Sequence, residues 1–465
     1  MQLSNEEEDY NLSLSKFESM LKTNKVLFFD SEEFEEIILH YLDMGKAALA
    51  KKALKLGLDQ HPKSVGLKLV QVEILVFDDK LDIAEKLLNE LYAIEPNNEE
   101  IYIQKANIYS KRDQHEKAVE FLKIALTYTE DFADVYNLIG MEYLFMDKLE
   151  QAKESFIKCL EEDLEDQSAL YNVVYCFEFL DQNLDAIAYL TKYIDKNPYS
   201  EIAWHQMGRL YYDLKDYENA IRAFDYATLI DDEFLGAFME KAKAYERMKQ
   251  YEEAIESYNR TIALDDATSY ALLRIGKCHE RLGNTALAIK YYNETVHEDP
   301  LLDKGWIAIT DFYIRQKNFQ KALFFVNKAL AIDNQNRLYW KRYAKINKEM
   351  NFFEEAEFGF RKAVEFGDTE LDTWLFWVNI LQFLGEFDTA IQTLLQASEY
   401  FPEENEIEYR LAGLYFMAQE TTKAKFHLSN GLRLNFDNYI LLEDLFPVVW
   451  TNKAVRNYIE KYKKE

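Results

Sequence analysis

Counted from Ser31 in steps of 34 residues, apolar side chains recur at positions 4, 7, 8 and 11 of each step, and again at positions 20, 24, 27 and 28. The first set has the spacing i, i+3, i+4, i+7 and the second i, i+4, i+7, i+8, and each gathers side chains on one face of an α-helix. Every step therefore predicts two amphipathic helices joined by a short turn. Position 20 is alanine throughout: Ala50, Ala84, Ala118, Ala152, Ala186, Ala220, Ala254, Ala288, Ala322, Ala356, Ala390 and Ala424. Position 32 holds Pro62, Pro96, Pro198, Pro300 and Pro402, where proline stops the second helix. Position 8 is Gly140, Gly208 and Gly276 or, usually, another small residue, so the two helices can approach closely. Position 15 carries Gly45, Gly283 and Gly385, suited to the left-handed residue that ends a first helix.

Position 4 is aromatic in Phe34, Tyr102, Tyr136, Trp204, Phe238, Trp306, Trp340 and Trp374, and position 11 is often tyrosine, as in Tyr41, Tyr109, Tyr143, Tyr211, Tyr245, Tyr313 and Tyr415. This is the pattern W-x2-L-G-x2-Y…A-x3-F…P, so over Ser31 to about Asp437 the chain resembles the tetratricopeptide-repeat family. The fullest unit runs from Glu201 to Phe234, with Trp204, Met207, Gly208, Tyr211, Ala220, Phe224 and Ala227 in place. The resemblance implies an all-α fold, a right-handed α-solenoid superhelix of helix-turn-helix repeats. The frame places an acidic segment and capping helix at 1–30, with Leu14, Phe17, Met20 and Leu21 as its apolar face. Twelve repeats at 31–438 start at 31, 65, 99, 133, 167, 201, 235, 269, 303, 337, 371 and 405, and C-terminal capping helices occupy 439–465. Each repeat buries its faces only against neighbours, so one continuous array is expected, with stability close to a sum of repeat and interface terms.

The same resemblance implies a concave wall of first helices, with positions 2, 5, 9, 12 and 13 facing a groove for an extended peptide or a partner helix. Positions 9 and 13 of the first five repeats include the candidate apolar groove residues Phe77, Phe145, Tyr175 and Phe179. Packing between successive first helices is the alternative for that row. The next five repeats place Arg209, Lys243, Arg247, Lys277, Arg281, Arg315 and Lys345 at these positions, with Lys341 at position 5. A basic groove inside an acidic chain would clamp an acidic or C-terminal-carboxylate segment. The alternative is a solvated face partly neutralised by Glu240, Glu246 and Glu280 on the same helices. The family's chaperone-tail clamp is incomplete here, with Lys341, Lys345 and Arg410 as fragments, and its asparagine ladder at position 6 is represented by Asn172 alone.

The composition narrows the function classes. Glycine (14) and proline (6) are scarce, as a helical chain requires, and 83 acidic against 54 basic residues give a net charge of −29. That charge disfavours nucleic acid and anionic membrane as partners and favours basic ones. The start, Met1 to Tyr10, lacks the basic and apolar regions of a secretory signal, and no apolar run reaches the length of a membrane span, so the expected compartment is the cytoplasm. Cys159, Cys176 and Cys278 are too few and scattered for a disulfide framework or a metal site and read as small buried thiols. The seven histidines show no metal-ligand spacing, and no glycine-rich phosphate loop occurs. Of these, His205 is the one facing the implied groove, as solvated surface.

No catalytic residue, metal or cofactor is therefore expected. The sequence points to a non-enzymatic, cytoplasmic protein-binding scaffold or adaptor that holds partner proteins or an extended peptide in its concave groove, within a larger complex or alone. The alternative is a regulatory module that captures an acidic peptide or a basic subunit of a nucleic-acid machine.

Overall fold

The computed structural model describes residues 13–22, 27–264 and 268–462. The acidic start, Met1 to Tyr10, and the last three residues lie outside them. Among the described residues every regular element is a helix. Packing divides the chain into two units, Met1–Asp232 and Glu233–Glu465. Each is an all-α solenoid of antiparallel helix pairs. In the first unit the pairs begin with Ser31–Asp43 and Ala47–Gln60 and end with Glu201–Asp213 and Tyr217–Ile230; in the second they run from Leu235–Arg247 and Tyr251–Ala263 to Asn405–Met417 and Thr421–Leu434.

The turn inside each pair is built by backbone alone. Every residue at position 15 has positive φ: Gly45, Gly283 and Gly385, but also Asp79, Asp113, Asp147, Asp181, Lys215, Lys249, Lys317, Asn351 and Gln419, at 54–63°. In each turn the next N–H donates to the carbonyl of position 11, from Lys46 to Tyr41 at 2.7 Å through to Glu420 to Tyr415 at 2.9 Å. This is the six-residue closure that satisfies the carbonyls at a helix end. Glycine marks only three of these joints in the sequence, whereas the conformation marks all of them.

All the position-20 alanines are fully buried, where the two helices of a pair cross. Beside them, positions 8 and 24 are complementary in volume. Gly140 faces Phe156, Gly208 faces Phe224 and Gly276 faces Tyr292, so closely that a Cβ on each glycine would lie 2.5–2.6 Å from the ring. Where position 8 is larger, as in Val72, Val174 and Val378, position 24 is Leu88, Leu190 and Leu394, each pair sharing one buried cluster. Several of the position-4 aromatics are anchored by their polar tips: the indole N–H of Trp204 donates to the Pro198 carbonyl at 3.0 Å, that of Trp306 to Pro300 at 2.9 Å, and the Tyr102 hydroxyl to Pro96 at 2.8 Å.

The ends are covered by apolar side chains. The helix at 13–22 buries Phe17 and Met20 against Phe29, Phe34 and Tyr41. At the other end the chain breaks into Ile440–Leu445, Pro447–Trp450 and Lys453–Tyr462, because Pro447 starts a new helix after Phe446. Phe446 fills the space left by Gly413, and Leu442, Val449, Val455 and Ile459 close the core.

Candidate functional site

In the first unit the first helices carry the aromatic row in the open. Phe77 is 73% exposed, Phe145 59%, Tyr175 42% and Phe179 64%. Tyr175 and Phe179 lie with ring centroids 4.4 Å apart, and Phe145 stacks on His115 at 5.3 Å. All four rings keep a large part of their surface open to solvent. Phe77 and Phe145 line an open cleft of about 590 Å³ with Glu73, Gln104, Asn107 and Lys111. They come from Val65–Phe77, Glu99–Lys111 and Phe132–Phe145, so three successive pairs build one depression.

Several first helices of this unit carry partly buried carboxyls. Burial pushes the carboxyls of Glu35, Glu73, Glu100 and Asp134 above the ordinary range, and like charges add to it: Glu32 at Glu35, Glu100 and Asp43 at Glu73, Glu99 at Glu100, Asp131 and Asp166 at Asp134. Groups with a raised folded-state pKa bind more protons folded than unfolded, so stability falls as pH rises through the window between the two values. Thermal melts followed by circular dichroism should therefore show a midpoint that falls as pH rises above the ordinary glutamate value of 4.5. A Glu73→Gln, Glu100→Gln double variant should raise the midpoint at pH 7.5 and flatten the slope. An unchanged slope would assign the pH dependence to the overall net charge instead.

In the second unit several of the basic residues are held by carboxylates outside their own helices. Lys341 is nearly buried and held by Glu370 at 2.5 Å and Asp368 at 3.5 Å, so the expectation of an open groove contact fails there: its carboxylates come from the turn into the next pair, 27 and 29 residues away. Arg315 is bound by Glu280. In the first unit, Arg209 hydrogen-bonds Gln206 at 2.8 Å and lies 3.5 Å from Glu178. Glu246 is taken by Arg274, a pair missed in the sequence, at 2.5 Å. The Lys243 ammonium lies 5.9 Å from the Tyr270 ring centroid. Arg247 and Arg281 are exposed. Burial, then the neighbouring Arg274, holds the Lys277 ammonium below its usual range; burial, then Lys341, does the same to Lys345. An anion set against either lysine would reverse that penalty.

His205 also departs from expectation. It is buried rather than solvated, its ring 5.8 Å from Phe224, because position 5 lies under the neighbouring packing. All three cysteines are buried and free, and burial pushes the Cys176 thiol up to about 11 and the Cys278 thiol up to about 12, which makes them poor nucleophiles. Among the described residues no group of three or more His, Cys, Asp or Glu side chains is placed to hold a metal ion, and no helix is long and apolar enough to cross a membrane.

Tetratricopeptide-repeat family models match residues 99–132, 133–166, 202–234 and 239–302. Three of these segments coincide, to within one residue at either end, with 34-residue steps of the hydrophobic pattern, and each contains a helix pair closed by the left-handed turn. The chain is a tetratricopeptide-repeat protein. Of curated tetratricopeptide-repeat relatives, anaphase-promoting complex subunit 3 of Schizosaccharomyces pombe is 25% identical over 157 residues, covering 34% of this chain and 24% of that protein. The cell division cycle protein 27 homolog of Caenorhabditis elegans is 32% identical over 92 residues, 20% of this chain and 12% of that protein. The match thus spans a quarter or less of either relative. Among solved structures, the Cut9–Hcn1 hetero-tetramer of the same complex aligns over 88% of this chain and 94% of its own at 14% identity, with a TM-score of 0.37, a likeness too low to carry any argument about function.

Proposed function

We propose that this tetratricopeptide-repeat protein is a non-catalytic scaffold that holds partner proteins along the wall of its first helices, as a cytoplasmic member of a multi-protein assembly. The observation that carries this reading is the exposed aromatic row of Phe77, Phe145, Tyr175 and Phe179. Large aromatic side chains left in water on a rigid wall lose nothing by being covered, and such residues are the anchors of protein interfaces. The resemblance of part of the chain to a subunit of the anaphase-promoting complex supports membership in an assembly.

A second reading, a regulatory module that captures an acidic peptide, is favoured by Lys277 and Lys345, whose charges are held at a cost in the second unit and lack a paired carboxylate as close as that of Arg274. Lys243, Lys277 and Lys345 would then clamp the ligand, with Arg247 and Arg281 at the rim. Capture of a basic subunit by the acidic surface belongs to this reading as well.

Affinity purification from the native host separates the two. Wild type is compared with a Phe77→Ser, Phe145→Ser, Phe179→Ser variant and with a Lys243→Glu, Lys277→Glu, Lys345→Glu variant. A stoichiometric partner lost with the first variant, and retained at moderate salt by the second, supports the scaffold. Loss confined to the lysine variant, with steep salt dependence, supports the regulatory module. A partner indifferent to both variants excludes the first-helix wall.

A further inference from the structure

The cleft in the first unit has a floor that its own chain leaves incomplete. Gln104 is only 4% exposed. Gln104 is one of the residues lining the cleft; its amide nitrogen donates to the Glu100 carboxylate at 2.8 Å, while its buried Oε1 accepts no hydrogen bond. Buried acceptors are normally satisfied, so this oxygen calls for a donor delivered from outside. Glu73 lies in the same floor with Glu100 and Asp43 as its charged neighbours, and burial with those like charges raises its carboxyl. At the rim, Lys111 is exposed and the His115 Nδ1 is held by Glu142 at 2.8 Å, so neither closes on Glu73 as a salt bridge. Phe77 and Phe145 give the same cleft two exposed rings.

These features specify a ligand with three properties. It brings N–H donors for Gln104 and Glu73. It brings positive charge for a carboxylate pair that has no cation bridged to it. It brings apolar surface for the two rings. A Lys or Arg beside a large apolar residue in an extended segment has all three, and Arg adds a planar guanidinium that can both fork onto a carboxylate and stack on an aromatic face.

We propose that the cleft between Phe77 and Phe145 binds an extended, basic and apolar segment of a partner protein, its cation against Glu73 and Glu100 and its apolar side chain against the two rings. This deepens the scaffold reading and rests on it. The site is opposite in sign to the lysines of the second unit.

The test uses the full chain and an end-blocked, fluorescein-labelled peptide, Gly-Lys-Phe-Arg-Leu-Lys-Gly, read by fluorescence anisotropy at fixed moderate salt. One control peptide carries Glu in place of Lys and Arg, the other Gly in place of Phe and Leu. The parent peptide should bind at least about 10-fold more tightly than either control. Phe77→Ser, which alters an exposed side chain and leaves the core intact, and Glu73→Gln should each weaken it about 10-fold, whereas Lys277→Glu should not weaken it. Hydrogen exchange should show protection in Val65–Phe77, Glu99–Lys111 and Phe132–Phe145. Absent binding, or binding indifferent to both Phe77→Ser and Glu73→Gln, overturns the proposal, the latter because it would mean that the acidic surface as a whole holds the peptide. Partner capture that survives those two changes sinks this inference while leaving the scaffold reading in place; a wild-type chain that captures no partner at all sinks both.

Discussion

Gly208→Val should destabilise the first unit by about 3 kcal/mol, and Phe224→Leu in the same chain should restore most of the loss. A Cβ at Gly208 would lie 2.5 Å from Phe224 Cε1 and 2.6 Å from Cδ1. The ring is fully buried and cannot swing into solvent, so overpacking costs of about 1–3 kcal/mol apply, at the upper end for a branched side chain. Phe224→Leu alone should cost about 1–2 kcal/mol through the space it leaves. Together the two changes recreate the pairing that the chain already uses at Val174 with Leu190, so their effects should fail to add by about 3 kcal/mol, as expected for residues in contact. Urea unfolding followed by tryptophan fluorescence, with Trp204 reporting this repeat, checks it. A double variant as unstable as the sum of the singles would remove volume complementarity as the device that holds each helix pair together.

Arg274→Met should destabilise the second unit by about 2–3 kcal/mol, and Glu246→Gln added to it should recover at least half. The Glu246 carboxylate accepts from the Tyr258 hydroxyl at 2.7 Å, from Arg274 Nε at 2.8 Å and from its Nη2 at 2.5 Å. Its side chain is 13% exposed and that of Arg274 26%. Removing the guanidinium leaves a nearly buried carboxylate with a single neutral donor, and breaking such a pair costs more than the pair contributes. Because Glu246 belongs to Leu235–Arg247 and Arg274 to Thr268–Arg281, the loss falls on the interface between successive pairs. Hydrogen exchange should show protection lost in these two helices first. Uniform loss across the unit would mean that the unit unfolds as one body.

The fold was legible in the sequence because its causes repeat. Alanine at position 20 and the stripes at 4, 7, 8 and 11 are demands of a helix crossing that recurs every 34 residues, and each recurrence confirms the last. The candidate surfaces were legible only in part, because they depend on pairings between repeats. Lys341, Arg315 and Arg274 find their carboxylates 27 to 35 residues away, at Glu370 and Asp368, Glu280 and Glu246, whereas a single-helix reading looks three or four residues along. The buried Gln104 oxygen gives no sequence signal. Nor does the burial of His205, which sits where the family resemblance implies an open groove.

The two kinds of joint in this chain set different rules for how it could grow. The left-handed turn is made from backbone hydrogen bonds and accepts Gly, Asp, Lys, Asn or Gln, so it is indifferent to which helix follows it in sequence. The contact between positions 8 and 24 is not indifferent, since Gly208 needs a ring and Val174 needs a leucine. Gene duplication or exchange with crossover points between one helix pair and the next therefore keeps every matched couple intact and adds or removes a working segment. A crossover at the turn within a pair would set glycine against leucine, leaving a hole, or valine against phenylalanine, forcing a clash. The lineage of such a chain is thus free to change in length by whole repeats and constrained within each one.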